Sequence, residues 1–100
     1  MDIRVDVKNE GKNYTVTIVG YLDYSNSDVF DTKVKEILKD AESMVIDMEN
    51  LEYISSAGIR VIVYAYNELE NKGGLKLIKL NDVVKEIFEV TGLDSIIEKN

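Results

Sequence analysis

Two runs of strict alternation open the chain and restrict what it can become. Ile3, Val5 and Val7 alternate with Arg4, Asp6 and Lys8, and Tyr14, Val16 and Ile18 alternate with Thr15, Thr17 and Val19. A period of two sends one set of side chains to a core and the other to solvent, which is the pattern of half-buried strands. Asn9-Glu10-Gly11-Lys12-Asn13 supplies turn chemistry between the runs, and Gly20 ends the second. Residues 1–20 therefore read as a β-hairpin, giving the fold an antiparallel start.

Beyond the hairpin the period changes. Ser25-Asn26-Ser27-Asp28 offers N-cap oxygens, with Ser25 and Asp28 at capping-box spacing, so a helix should begin near Ser25. Phe30, Val34, Ile37, Leu38 and Ala41 then recur at three and four, while Asp31, Lys33, Lys35, Glu36 and Lys39 fill the opposite face of an amphipathic surface helix. Met44-Val45-Ile46-Asp47-Met48 is short and largely apolar, which suits a central strand buried on both sides, and residues 50–54 carry the chain out of it. In the next stretch, 55–72, Val61-Ile62-Val63-Tyr64 favours a strand by propensity. Length decides for a helix, because about seventeen residues pass without a breaker and Ile59, Ile62, Val63, Tyr66 and Leu69 keep helical spacing. Leu75, Leu77 and Ile78 give another strand. Asn81 or Asp82 caps a helix that turns Val84, Ile87 and Phe88 inward, and Gly92 stands at its stop. A short edge strand over 93–98 is the last expected element.

The order β-β-α-β-α-β-α predicts an α/β fold: a mixed sheet of four or five strands, an N-terminal antiparallel hairpin and three or four helices, in one domain over residues 1–100. Helical crossovers between successive strands make the remainder of the sheet mainly parallel. Loops at the carboxyl ends of such strands are the usual functional edge, so residues 20–27 and 49–56 are the places to look.

Composition narrows the chemistry. A chain of 100 residues with 45% hydrophobic and 31% charged side chains lies in the globular range and is long enough to bury a modest core. It has no Cys and no His, which removes disulfides, Cys/His zinc sites, thiol nucleophiles and the usual general base. No cofactor, metal or catalytic residue is expected. The net charge of −7, with 12 scattered Lys and Arg, opposes direct nucleic-acid binding. No apolar run approaches the ~20 residues of a membrane span, and MDIRVDVKNE lacks a signal-peptide core, so a cytoplasmic location away from membranes is expected.

Tyr53-Ile54-Ser55-Ser56-Ala57-Gly58-Ile59-Arg60 places two hydroxyls where a strand-exit loop becomes a helix. Either Ser55 or Ser56 can serve as N-cap, worth about 1 kcal/mol. Gly58 inside a first turn costs roughly 1 kcal/mol against Ala, so close packing or access to the neighbouring hydroxyl must require it. A serine hydrolase lacks parts: without His only a Ser-Lys arrangement remains, no lysine lies near Ser56 in sequence, and no Gly-x-Ser-x-Gly occurs. Asp23 and Asp47 near strand ends raise a phosphoaspartate receiver, against which the hairpin start and short chain argue. Asn71-Lys72-Gly73-Gly74-Leu75-Lys76 lacks the spacing of a phosphate loop and reads as a turn.

Gly20-Tyr21-Leu22-Asp23, then Leu51-Glu52-Tyr53-Ile54-Ser55-Ser56-Ala57-Gly58-Ile59-Arg60-Val61, then Gly73-Gly74, then Phe88-Glu89-Val90-Thr91-Gly92-Leu93 before Ile96-Ile97 resembles the STAS domains of bacterial anti-sigma factor antagonists. The resemblance runs over essentially the whole chain with the motifs in order. It implies an unphosphorylated antagonist that binds an anti-sigma factor serine kinase, so that a sigma factor is released. Phosphorylation by that kinase ends the complex and a serine phosphatase restores it. Position by position, the family's phosphoacceptor falls on Ser56 and the aspartate of its Gly-x-Leu-Asp loop on Asp23. This chain has Ser55 where many members carry Asp, which makes Ser55 a competing acceptor, and Tyr21 where an acidic residue is common. Asp23, Tyr24, Ser55, Ala57, Gly58, Ile59, Arg60 and Tyr64 are the expected partner-binding residues. A STAS module in another sensor or scaffold complex and a Ser-Lys enzyme are the competing readings.

Overall fold

The structure, a computed structural model, describes residues 3–97. The hairpin forms from β1 (Ile3–Glu10) and β2 (Asn13–Leu22), antiparallel with Val5 opposite Ile18 and Val7 opposite Val16. Pairing continues to Glu10 opposite Asn13, so the turn shrinks from the five residues expected to the loop Gly11-Lys12. Gly11 has φ +62° and Lys12 does not share the positive sign, the combination of a type II′ turn whose twist suits a hairpin. Gly20 does not end β2. The strand runs on to Leu22 through a register shift after Gly20, whose φ of +108° only glycine adopts without strain.

That extension gives β2 two parallel partners placed end to end. Its first half pairs with β3 (Ser43–Asp47) and its second half with β4 (Leu51–Ile54). The sheet reads β1-β2-β3-β5, where β5 (Gly74–Ile78) is parallel to β3, and β4 lies beside the end of β2. The helices are α1 (Ser27–Leu38), α2 (Ser56–Leu69) and α3 (Asp82–Val90). Mixed pairing, five strands and three helices match the fold class read from the sequence.

The core lies on one face of the sheet. Val16 and Ile18, Met44 and Ile46, and Leu75 and Leu77 point to it from three strands and meet Phe30 and Val34 of α1, Ile62, Ala65 and Leu69 of α2, and Val84 and Phe88 of α3. β3 is thus not buried on both sides as expected: Met44 and Ile46 are buried while Ser43, Val45 and Asp47 between them are half-exposed. The Val61-Ile62-Val63-Tyr64 run is helical despite its propensity, because Val61, Ile62, Ala65 and Leu69 then form one buried stripe.

At the ends of α3 one choice left open by the sequence is settled and the last expected strand is not found. Asn81, not Asp82, caps α3: its Oδ1 accepts from the Val84 amide at 2.9 Å while its Nδ2 donates to the Leu51 carbonyl at 2.7 Å, tying α3 to β4. Past α3, Gly92 at φ +78° closes a Schellman stop in which the Leu93 amide donates to the Phe88 carbonyl and the Gly92 amide to that of Glu89. The expected strand over 93–98 is instead a 3-10 turn, Asp94–Ile96, followed by a single parallel bridge between Ile97 and Leu77. Position 98 lies outside the described residues.

Candidate functional site

Parallel pairing of β2 with β4 brings the two suspected loops together. Tyr21 stands opposite Tyr53 and Leu22 opposite Ile54, so Asp23 and Ser55 are the next residues to leave the sheet, side by side at its carboxyl edge. The Ser55 amide donates to the Leu22 carbonyl at 2.8 Å, and the Tyr21 and Tyr53 rings stack with centroids 6.1 Å apart. The 49–56 loop therefore includes a short strand of its own, which the sequence had given only as an exit.

The loop after β2 is tied internally. Asp23 Oδ1 accepts from the Ser25 hydroxyl at 2.7 Å and from the Asn26 amide at 3.1 Å. Asn26, buried, reaches back: its Oδ1 accepts from the Asp23 amide at 3.0 Å and its Nδ2 donates to the Tyr21 carbonyl at 2.8 Å. The Ser25 hydroxyl and the Asn26 amide hold the Asp23 carboxyl below the usual carboxylate range. The expected capping box between Ser25 and Asp28 does not form. α1 starts at Ser27 with Asn26 in the cap position and no side-chain cap bond, because Ser25 is engaged by Asp23 and Asn26 by the strand it left. Asn26 is a site-building residue that pattern reading missed; a polar amide in a Ser-Asn-Ser-Asp run, followed by a buried Phe30, was its only signal.

At the start of α2 the two serines part company. Ser55 has extended backbone, φ −84° and ψ 169°, and its Oγ accepts from the Gly58 amide at 3.3 Å, so it is the N-cap. Ser56 is the first helical residue, exposed, and its hydroxyl has no hydrogen bond among the described residues. Gly58 is buried behind them. A Cβ there would lie 2.6 Å from Leu22 Cδ2 and 2.9 Å from Ile54 Cγ1, so glycine lets the helix settle onto the ends of β2 and β4. Close packing rather than access explains Gly58. Ile59 is half-buried and packs on the core; Ala57 is half-buried and faces α1.

A groove of about 390 Å³ lies between α1 and α2, lined among others by Tyr24, Asp28, Asp31, Lys35, Arg60 and Tyr64. Tyr24 is 84% exposed and Tyr64 45% exposed. Lys35 bonds Asp31 at 3.2 Å and lies 5.3 Å from the centre of the Tyr64 ring. Thus Asp23, Ser55 and Ser56 stand where β2 and β4 leave the sheet, and Tyr24, Ala57, Arg60 and Tyr64 line the groove between the helices with α1 side chains, of which the sequence assigned Asp31 and Lys35 to a solvated face.

The competing chemistries find little support in this geometry. Neither serine hydroxyl bonds a lysine. Asp47 accepts from the Glu49 amide at 3.0 Å and pairs loosely with Lys79 at 3.8 Å, and the described residues contain no group of three or more acids placed to hold a metal ion. Among them, too, no helix is long and apolar enough to cross a membrane.

Comparison with known proteins agrees with the geometry. A model of the STAS domain matches residues 4–100. The anti-sigma-B factor antagonist of Bacillus subtilis strain 168 is 30% identical over 99 residues, covering 98% of this chain and 91% of that protein. The structure of the anti-sigma factor antagonist SpoIIAA in its unphosphorylated form superposes with a TM-score of 0.85 at 17% identity, covering 97% of this chain and 88% of that one. The phosphorylated form of SpoIIAA, a Bacillus cell fate determinant, superposes at 0.77 with 16% identity, covering 97% and 91%. At such identities the two structures speak for the fold, while the family match takes in the hairpin, the Asp23 loop and the Ser55-Ser56 helix start together: the chain belongs to the STAS domain family.

Proposed function

We propose that this chain, acting as one domain over residues 1–100, is an anti-sigma factor antagonist: a cytoplasmic binding module, not an enzyme, that works through protein partners and not through nucleic acid or membrane. Unphosphorylated, it binds an anti-sigma factor serine kinase through the edge formed by Asp23, Tyr24, Ser55, Ser56, Ala57, Arg60 and Tyr64, and so releases a sigma factor for transcription. The names of its relatives support the antagonist role. The observation that carries the switch is the contrast between adjacent hydroxyls: Ser55 is engaged as N-cap, and Ser56 is exposed and unengaged on the same edge as Asp23.

In the kinase complex the Ser56 Oγ attacks the γ-phosphorus of ATP. The new O–P bond forms as the bond to the β,γ-bridging oxygen breaks, ADP leaves with that electron pair, and the hydroxyl proton passes to a base on the kinase. A serine phosphatase reverses the state by hydrolysis, releasing inorganic phosphate and restoring the hydroxyl. The phosphate brings about −1.5 to −2 charges to a helix start, where free amides and the positive end of the dipole tolerate it. At a close-packed interface the same dianion must be desolvated, beside Asp23 and on a chain already at −7, so binding fails while the fold survives.

Incubation with the cognate kinase and ATP, followed by phosphopeptide mapping, tests the assignment. Phosphate on Ser56 is expected. Phosphate on Ser55, or none with an active kinase, overturns it.

A further inference from the structure

Ser56 and Arg60 are four residues apart on α2, so they lie one above the other on the same helical face with Cβ atoms about 5–6 Å apart. Both are exposed. The groove between α1 and α2 holds two cations, Lys35 and Arg60, and they are not alike. Lys35 is held by Asp31 and by the Tyr64 ring. Arg60 makes no hydrogen bond or ion pair among the described residues, although Asp28 and Asp31 line the same groove. The first turn of α2 has no acidic residue, so nothing native to the helix claims the guanidinium from the N-terminal side.

We propose that Arg60 is the built-in counter-ion of a phosphate on Ser56, leaving the groove to form a charge-assisted pair with it along α2. The inference rests on Ser56 being the phosphoacceptor. An anion four residues N-terminal to a cation is the favourable order on a helix, and a guanidinium engages phosphate through two parallel N–H donors. Two carboxylates and two cations line the groove in balance before modification. With Arg60 drawn to Ser56, the groove turns net negative. One phosphate thereby changes two adjoining patches: the edge that carries it, and the groove that gives up its unengaged cation.

The test needs neither kinase nor partner. Phosphoserine is placed at position 56 during translation, and the second ionisation of its phosphate is followed by 31P NMR across pH in the full chain, in Arg60→Gln, in Arg60→Lys and in Lys35→Gln. A neighbouring cation favours the dianion, so Arg60→Gln is expected to raise that ionisation by about half a pH unit, with Arg60→Lys in between and Lys35→Gln close to the parent. An unchanged titration in Arg60→Gln, or an equal rise in Lys35→Gln, overturns the pairing. Failure of a kinase to modify Ser56 would defeat the proposed function and leave this titration untouched, so the two ideas fail separately.

Discussion

Two helices start side by side at the carboxyl edge of the sheet, and they are secured by opposite means. At α1 the side-chain bonds run backward: Asn26 and Asp23 fasten the loop to itself and to the Tyr21 carbonyl, and the helix has no side-chain cap. At α2 they run forward, with Ser55 capping the first turn and Gly58 letting that turn sit on Leu22 and Ile54. The first arrangement makes a fixed polar platform. The second anchors the helix through residues 55 and 58, and the Ser56 hydroxyl between them takes no part in the anchoring.

That contrast can be broken from either side. Gly58→Val should have the largest effect, because its Cβ meets Leu22 and Ile54 below any real contact distance; overpacking of this kind costs about 2 to 3 kcal/mol, read from urea unfolding. Asn26→Ala comes next. It strands the Asp23 amide and the Tyr21 carbonyl near the core, at a cost of about 2 kcal/mol, and it should loosen the Asp23 loop in amide exchange while leaving α2 protected.

Ser55→Ala removes a cap that is in use and should cost about 1 kcal/mol, visible as a drop in melting temperature. Smaller still is the acid response of the platform. The folded state holds the Asp23 carboxyl below its ordinary range, chiefly through the Ser25 hydroxyl. Its contribution is therefore present at neutral pH, persists to the ordinary carboxylate value and is lost as pH falls through the lower folded one. Asp23→Asn should flatten that part of the stability profile in melts between neutral and acidic pH, and an Asp23 resonance titrating at the ordinary carboxylate value would contradict the account. Ser56→Ala should change stability least, by less than about 0.5 kcal/mol, since no bond is lost.

Much of this fold is written in periodicity. The hairpin shows because its alternation is strict, and α2 shows because its length without a breaker and the spacing of Ile59, Ile62, Tyr66 and Leu69 outweigh β-branched propensity, although the stripe that is buried runs through Val61, Ile62, Ala65 and Leu69 and leaves Val63 half-exposed. β4 is hidden because Leu51-Glu52-Tyr53-Ile54 is buried only at its two ends, without alternation, and its partner is the half of β2 beyond a bulge at Gly20. β3 misleads in the other direction: Val45 looks like core by composition, but it faces away from the side on which the described helices pack. At the site, the loops and the serines were legible from strand-exit logic and from the family resemblance. Which serine caps was not, because either spacing is acceptable until the backbone of residue 55 is seen to be extended. The groove was out of reach too, since Asp28, Asp31 and Lys35 meet Arg60 only once α1 packs on α2.

On the proposed function, charge at position 56 ends partner binding without disturbing the fold. Calorimetric affinity for the anti-sigma factor kinase, measured for Ser56→Ala and Ser56→Asp against the parent chain, tests it most directly. Ser56→Ala is expected to bind like the parent, and Ser56→Asp, with one negative charge and less bulk than phosphate, to bind at least about tenfold more weakly at unchanged melting temperature. Binding by Ser56→Asp as tight as the parent's would contradict it.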